Sequence, residues 1–280
     1  MARAARGIGE KATSYSSSIK DLQNKLALAN LEELEAFERS LASDTRKGVQ
    51  TALRSARRRI EKEQAEASRL NGLYQFEQQL AQEHHAHCYC GLDEVGRGSV
   101  AGPLAVGAVI LPHDYLIQGL NDSKQITPQH REVIAEDIKQ HALAWTVQYV
   151  SADIIDAKGM TAALRMAFRL AVDALEEQGF ELDLLLLDGN PLHFDKRECT
   201  IVKGDAQCAS IAAASIVAKV DRDALMEQLA LKYPEYGFES CKGYASEAQI
   251  EAIKKYGLSP VHRESFCTSF LQRSLFDDFE

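Results

Sequence analysis

Four acids stand where strands are expected to end. Asp93 and Glu94 close the stretch CYCGLDE, Asp188 closes the apolar run Leu182–Leu187, and Asp205 follows the short run Cys199–Val202. Acids at the strand ends of an α/β sheet lie where active sites usually form. Carboxylates gathered there repel one another unless a cation sits between them, and hard divalent ions with oxygen ligands suit that role. Adjacent residues on a regular strand point to opposite faces. Asp93 and Glu94 therefore share a site only if the backbone turns at Glu94, and Gly96-Arg97-Gly98 is expected to supply the bend. Asp221 and Asp223 compete for the fourth position. In a continuous helix Asp223 would lie about 27 Å from Asp205, too far to share one metal pair. Asp205 is the choice, because a strand-to-helix junction puts it on the edge that carries Asp188. Asp221 and Asp223 are then expected to be solvated or ion-paired.

The elements that must position these acids begin near residue 86. Cys88–Asp93 and Val100–Leu111 read as strands joined by the Gly turn, and Ala144–Val150 as a third strand. Leu182–Leu187 has the character of a strand buried on both faces, and Cys199–Val202 is a short strand. Helical patterns cover Pro128–His141, Thr161–Glu177, Ala206 to about Leu231, and Ser246–Tyr256. The third of these begins ASIAAASIVAKV, small residues that let a helix sit close against a sheet. The order predicts an α/β domain with a mixed sheet over 86–280.

Residues 1–85 read as a helical extension. Asn30 with Glu33 has the form of a capping box. Leu31, Leu34, Phe37 and Leu41 make one stripe, and Val49, Leu53, Ala56 and Ile60 a second. Neither stripe is wide enough for a lone helix, so a small hairpin or bundle is expected.

The chain has 280 residues, 45% apolar and 26% charged, with a net charge of −9. The charge is segregated: residues 1–85 sum to +2 and the remainder to −11. The stretch Thr45–Ile60 holds six basic residues and no acid, so nucleic acid stays open as a partner despite the overall sign. No apolar run approaches a membrane span. The start MARAARGIGEKATSYSSS has no apolar core long enough for a secretory signal and reads as a polar tail. Six scattered cysteines fit reduced thiols, hence a cytoplasmic protein. HHAHCYC, with His84, His85, His87, Cys88 and Cys90, matches no common zinc spacing and reads as a linker entering a buried strand.

The segments GLDEVGRGSVAGP, LNDSKQIT, LLLLDGN, KGDAQCASIAAASIVAKVDRD, KGYAS and SPVHRESF occur in the order seen in bacterial ribonuclease HII. The resemblance covers about residues 88–270, and DTRKGVQ resembles the extension of that family in some Gram-positive bacteria. It implies a ribonuclease H-like fold and cleavage of RNA in RNA–DNA hybrids and of DNA duplexes containing ribonucleotides. The cut would fall 5′ of the ribonucleotide and leave 3′-hydroxyl and 5′-phosphate ends. The family's four acids fall on Asp93, Glu94, Asp188 and Asp205, which would hold two Mg²⁺ or Mn²⁺ ions. The turn Gly96-Arg97-Gly98 would read the ribose 2′-hydroxyl, Tyr244 would pack on the next sugar, and Lys124 would meet a phosphate. The chain departs from the family at Ala245, usually Gly, and at Glu264, where the family often has a second Arg.

The tail QRSLFDDFE resembles a bacterial sliding-clamp motif through Gln272, Ser274, Leu275 and Phe276, with Arg273 at the position usually held by Leu. Arg57, Arg58 and Arg59 are candidates to grip DNA outside the site. A ribonuclease HIII-like hybrid nuclease is an alternative, disfavoured by the helical front segment and by GRG. A non-catalytic nucleic-acid-binding protein would be favoured by loss of an acid, and none is lost. A dinucleotide-binding site is rejected, because the Gly turn leads into a strand and lacks the full fingerprint. A monomer is expected.

Overall fold

The computed structural model describes residues 18–271. The chain divides into two compact units between Ser68 and Arg69.

The first unit is helical: α1 (Ile19–Leu28), α2 (Leu31–Ser40) and the first part of α3 (Lys47–Glu83). Its core joins both expected stripes, with Leu22, Leu26, Leu34, Leu41, Val49, Leu53, Ala56 and Ile60 buried together. The capping box forms: Glu33 N–H donates to Asn30 (2.9 Å), and Asn30 N–H donates to the Glu33 carboxylate (3.0 Å). Three basic residues of the Thr45–Ile60 stretch are paired within the unit. Arg57 pairs with Glu38, Arg59 with Glu63 and Arg46 with Asp44.

The second unit holds a five-stranded mixed sheet. Its strands are β1 (Tyr89–Val95), β2 (Leu104–Ile110), β3 (Ala144–Val150), β4 (Leu184–Asp188) and β5 (Glu198–Ile201), in the order β3-β2-β1-β4-β5. The pairs β1–β2 and β2–β3 are antiparallel, while β1–β4 and β4–β5 are parallel. The helices are α4 (Pro128–His141), α5 (Ala152–Lys158), α6 (Met160–Glu177), α7 (Ala209–Lys232), α8 (Phe238–Cys241), α9 (Glu247–Tyr256) and α10 (Glu264–Leu271). The apolar side chains of α6 cover one face of the sheet, packing on Leu104, Val106, Leu185 and Leu187. The other face lies against α7. A Cβ on Gly91 would stand 2.1 Å from the Ser210 carbonyl carbon, and one on Gly107 would stand 2.4 Å from the Ala214 oxygen. Glycines on the strands and Ala or Ser on the helix together allow this approach, as the small-residue run suggested.

The last turns of α3, from Arg69 onward, belong to this unit. Leu70, Leu73 and Tyr74 are buried with Ile117, Leu120 and Ile134, and Ala81 with Tyr89, Leu184 and Ile211. The change of composition near residue 86 falls just after α3 ends at Glu83. Val100 and Ala101, from the loop between β1 and β2, cluster with Met226, Tyr236, Phe238, Ile253 and Cys267 from α7 and the segments after it.

Two local expectations are corrected. The strand β1 does not bend at Glu94: it runs on to Val95, with Glu94 opposite Val106, and the left-handed turn comes at Gly96. Ladder bonds to β2 hold the backbone extended until glycine permits a positive φ. The long helix does not begin at Ala206. Asp205 sits in a separate 3₁₀ turn, Gly204–Ala206, and α7 starts at Ala209. Among the described residues no helix is long and apolar enough to cross a membrane.

Candidate active site

The parallel pairing of β1 with β4 sets Leu92 level with Leu187. Asp93 and Asp188, next along each strand, therefore end side by side. Asp205 reaches the same edge through the turn that follows β5. Lys203 adopts a left-handed conformation there (φ 58°), and Gly204 N–H donates to Asp188 Oδ1 at 2.6 Å. A Cβ on Gly204 would stand 2.7 Å from the Ile211 side chain, so a larger residue here would displace Ile211.

The charges of these acids reach one another. Burial raises the Asp93 carboxyl well above its ordinary value, and the charges of Glu94 and Asp188 add to the rise, against a hydrogen bond from Ser215. Burial also raises Glu94, opposed by Arg97, with Asp188 adding to the rise. Burial raises Asp205, with Asp188 and Asp122 adding and Lys124 opposing. Asp188 thus links Asp93, Glu94 and Asp205 in one field. Both Asp93 and Asp205 are 8% exposed.

Among the described residues no three His, Cys, Asp or Glu side chains form a closed ion-binding set. The acids stand as separate carboxylates around one sheet edge. The donor set nonetheless fits hard divalent cations: every donor is a carboxylate oxygen, and Asp93 and Asp205 are buried among like charges. The nearby cations are peripheral. Arg97, an exposed residue, lies 3.4 Å from Glu94, and the Lys124 charge reaches Asp205.

Behind the acids lies a support that sequence reasoning missed. The Ser215 hydroxyl bonded to Asp93 also meets Ser123 Oγ at 3.0 Å. Ser123 precedes Lys124, and the buried Arg131 holds this loop by donating to the carbonyls of Ser123 (2.9 Å) and Ile126 (2.8 Å). The loop carrying Lys124 is thereby tied to the strand carrying Asp93.

The Gly turn is pinned from beneath by two arginines, Arg222 and Arg263, each fully buried. Arg222 donates to the Pro103 carbonyl (3.0 Å), the Lys242 carbonyl (3.0 Å), Ser99 Oγ (2.9 Å) and the Ala101 carbonyl (3.2 Å). Arg263 donates twice to the Gly102 carbonyl (3.1 and 2.9 Å) and once to that of Arg97 (3.0 Å). Burial lowers both guanidinium groups, Arg263 to about 10, so it stays charged at neutral pH. Backbone bonds complete the assembly. Val100 and Ala101 N–H both donate to the Gly243 carbonyl, and Gly102 N–H donates to that of Val261. Tyr244, next to Gly243, is 40% exposed and stands with its ring 5.8 Å from the Arg222 guanidinium. The GRG turn, the KGY loop and the SPVHR segment therefore form one rigid patch. Nothing in the spacing of Arg222 or Arg263 marked them as buried, since an arginine's burial depends on carbonyls far away in sequence.

The rival acids are ion-paired, as expected: Asp221 with Lys139 (2.5 Å) and Asp223 with Lys219 (2.7 Å). Glu264 opens α10, and its N–H donates to Asp156 (2.7 Å). His84 follows the end of α3, and His85 takes a left-handed turn (φ 54°). The tail residues Gln272–Phe276 lie outside the described residues.

Comparison with known proteins adds the following. The profile described as Ribonuclease HII matches residues 90–269, and that described as Ribonuclease HII N-terminal domain matches residues 18–81. Ribonuclease HII of Listeria monocytogenes serotype 4b is 39% identical over 251 residues, 90% of this chain and 94% of the relative. Ribonuclease HII of Halalkalibacterium halodurans is 40% identical over 249 residues, 89% of this chain and 93% of the relative. Among solved structures, the ribonuclease HII in the PCNA complex from Archaeoglobus fulgidus aligns with a TM-score of 0.57 at 26% identity, covering 68% of this chain and all of that one. Ribonuclease H2 from Pyrococcus horikoshii aligns with a TM-score of 0.55 at 27% identity, covering 65% of this chain and 96% of that one.

Proposed function

The chain belongs to the ribonuclease HII family, and we propose that this ribonuclease H endonuclease cuts on the 5′ side of ribonucleotides embedded in duplex DNA. It would also cut RNA in RNA–DNA hybrids, leaving 3′-hydroxyl and 5′-phosphate ends, and serve ribonucleotide removal in replication and repair. The observation that supports this reading is that the charge of Asp188 acts on Asp93, Glu94 and Asp205 at the sheet edge beside the Gly turn, even though β1 runs straight through Glu94.

Asp93, Glu94, Asp188 and Asp205 would hold two Mg²⁺ or Mn²⁺ ions. Such ions supply an activated water and stabilise the leaving oxygen. The chain's own residues do the remaining work. Ser215 lies beside Asp93, and Gly204 N–H donates to Asp188, so both carboxylates have neighbours that steady them. Gly98 has open space where a Cβ would be, which suits close approach of a ribose. A 2′-hydroxyl is the group that distinguishes a ribonucleotide at a given position. Tyr244 is exposed beside this turn, available to pack on the neighbouring sugar. Lys124 lies at the Asp205 side, in reach of a phosphate.

The test is incubation with a labelled duplex containing one ribonucleotide, with Mg²⁺ or Mn²⁺, beside Asp93→Asn. A single 5′ nick that the variant loses supports the reading. Cutting of long hybrids alone would favour a ribonuclease HIII-like activity. No cutting of either would favour a non-catalytic binding protein.

The tail residues Gln272, Ser274, Leu275 and Phe276 are assigned to sliding-clamp binding on their motif resemblance. The archaeal relative solved as a PCNA complex adds support for a clamp partner. Pull-down with the clamp should fail once residues 271–280 are deleted; unchanged capture would refute the assignment.

A further inference from the structure

The helix α7 lacks a cap of its own. Its N-cap residue is Cys208, whose side chain makes no capping bond. The first amides of a helix need acceptors when buried. Here the acceptor comes from α3. Glu77, 2% exposed, accepts the Ser210 N–H at 2.8 Å and the Cys208 thiol at 3.2 Å.

The same few residues lead directly to two of the proposed metal-holding acids. Cys208 N–H donates to the Gly204 carbonyl at 2.8 Å. Gly204 N–H donates to Asp188 Oδ1 at 2.6 Å, and Asp205 is the next residue in that turn. Ile211 of α7 closes the space above Gly204. The turn carrying Asp205 is thus clamped between Asp188 on one side and the first turn of α7 on the other. Glu77 fixes where that first turn begins.

We propose that Glu77 is a positioning residue for Asp205 and Asp188, so that α3 helps set the metal site without touching it. This rests on the functional reading above. It gives the end of the extension helix a role in catalysis: holding the Gly204–Ala206 turn in the register that lets both acids serve one ion pair. A purely structural cap would alter stability and leave metal affinity unchanged.

The test uses full-length protein and Mn²⁺ as the probe, at a temperature where each variant is folded by circular dichroism. Two quantities are read: the Mn²⁺ concentration for half-maximal nicking, and the rise in Tm that Mn²⁺ produces. Glu77→Asp, one methylene too short, should raise the midpoint about 10-fold and shrink the Tm rise, with KM for the duplex nearly unchanged. Glu77→Gln keeps an acceptor oxygen and should recover most of the loss. Cys208→Ala removes one donor and should shift the midpoint about 2-fold in the same direction. Folded Glu77→Asp with a wild-type midpoint would overturn the proposal. An unchanged midpoint in Cys208→Ala would do so too should Glu77→Asp fail to fold. Wild type that neither nicks nor responds to Mn²⁺ would overturn the functional reading itself, and this inference with it.

Discussion

Gly96 and Arg222 fit together only because Gly96 has no side chain: a Cβ there would stand 2.2 Å from Arg222 Nε. Gly98, two residues on, has open space where its Cβ would be. The two glycines of one turn are therefore required for different reasons. Gly96 also has φ +84°, which a side chain tolerates poorly. Gly96 serves the fold, whereas the fold places no such demand on Gly98, the residue proposed to face the ribose.

Substituting the two should separate stability from activity. Gly96→Ala should lower stability by about 2 kcal/mol or more, through strain and displacement of Arg222. Gly98→Ala should change stability by less than about 0.5 kcal/mol yet lower kcat/KM on a single-ribonucleotide duplex at least about 10-fold. Urea unfolding and nicking kinetics on both variants check this. Full activity in Gly98→Ala would remove the turn from ribose recognition.

Asp93 is buried beside the charges of Glu94 and Asp188. Asp93→Asn keeps the shape and removes one charge. The variant should lose nicking and the Mn²⁺-induced rise in Tm, while its metal-free form is at least as stable as wild type at neutral pH. Thermal melts with and without Mn²⁺ read both quantities. A lower metal-free Tm would show that the Ser215 bond outweighs the repulsion.

Arg263 makes three bonds to two carbonyls in a fork that an ammonium group cannot reproduce. Arg263→Lys should lose about 2–4 kcal/mol by leaving buried carbonyls unpaired. At a temperature where it remains folded, it should raise KM more than it lowers kcat if, as proposed, the turn binds substrate and the acids cut.

His262 lies beside the same patch. It is buried against Tyr236 and bonded through Nδ1 to the Ser259 N–H (3.0 Å), and Ala101 pairs with it across a short bridge. Burial lowers its pKa from 6.5 to about 4. Above about pH 6.5 the ring is neutral in both states and adds no pH dependence. Between 6.5 and about 4 only the unfolded chain takes up the proton, so stability falls as pH falls, by up to about 3 kcal/mol. Urea midpoints from pH 7 to pH 4 should decline less steeply in His262→Gln than in wild type.

The sequence alone determined the composition of this protein's chemistry: which acids lie near strand ends, which turn is rich in glycine, and which helix is made of small residues. Those features are local, and strand ends, turns and helix stripes follow from short-range backbone preferences and period. The capping box at Asn30 and the limits of Pro128–His141 and Ala144–Val150 could be read in the same way. Tertiary structure decided what supports them. The placing of the bend after Val95 rather than at Glu94 depended on ladder bonds to β2, and Asp205's separate turn depended on Asp188 and Ile211. Arg222, Arg263 and Glu77 look like ordinary surface charges along the chain. Each is buried because carbonyls or amides distant in sequence needed partners once water was excluded, and that demand exists only after the sheet and helices have packed.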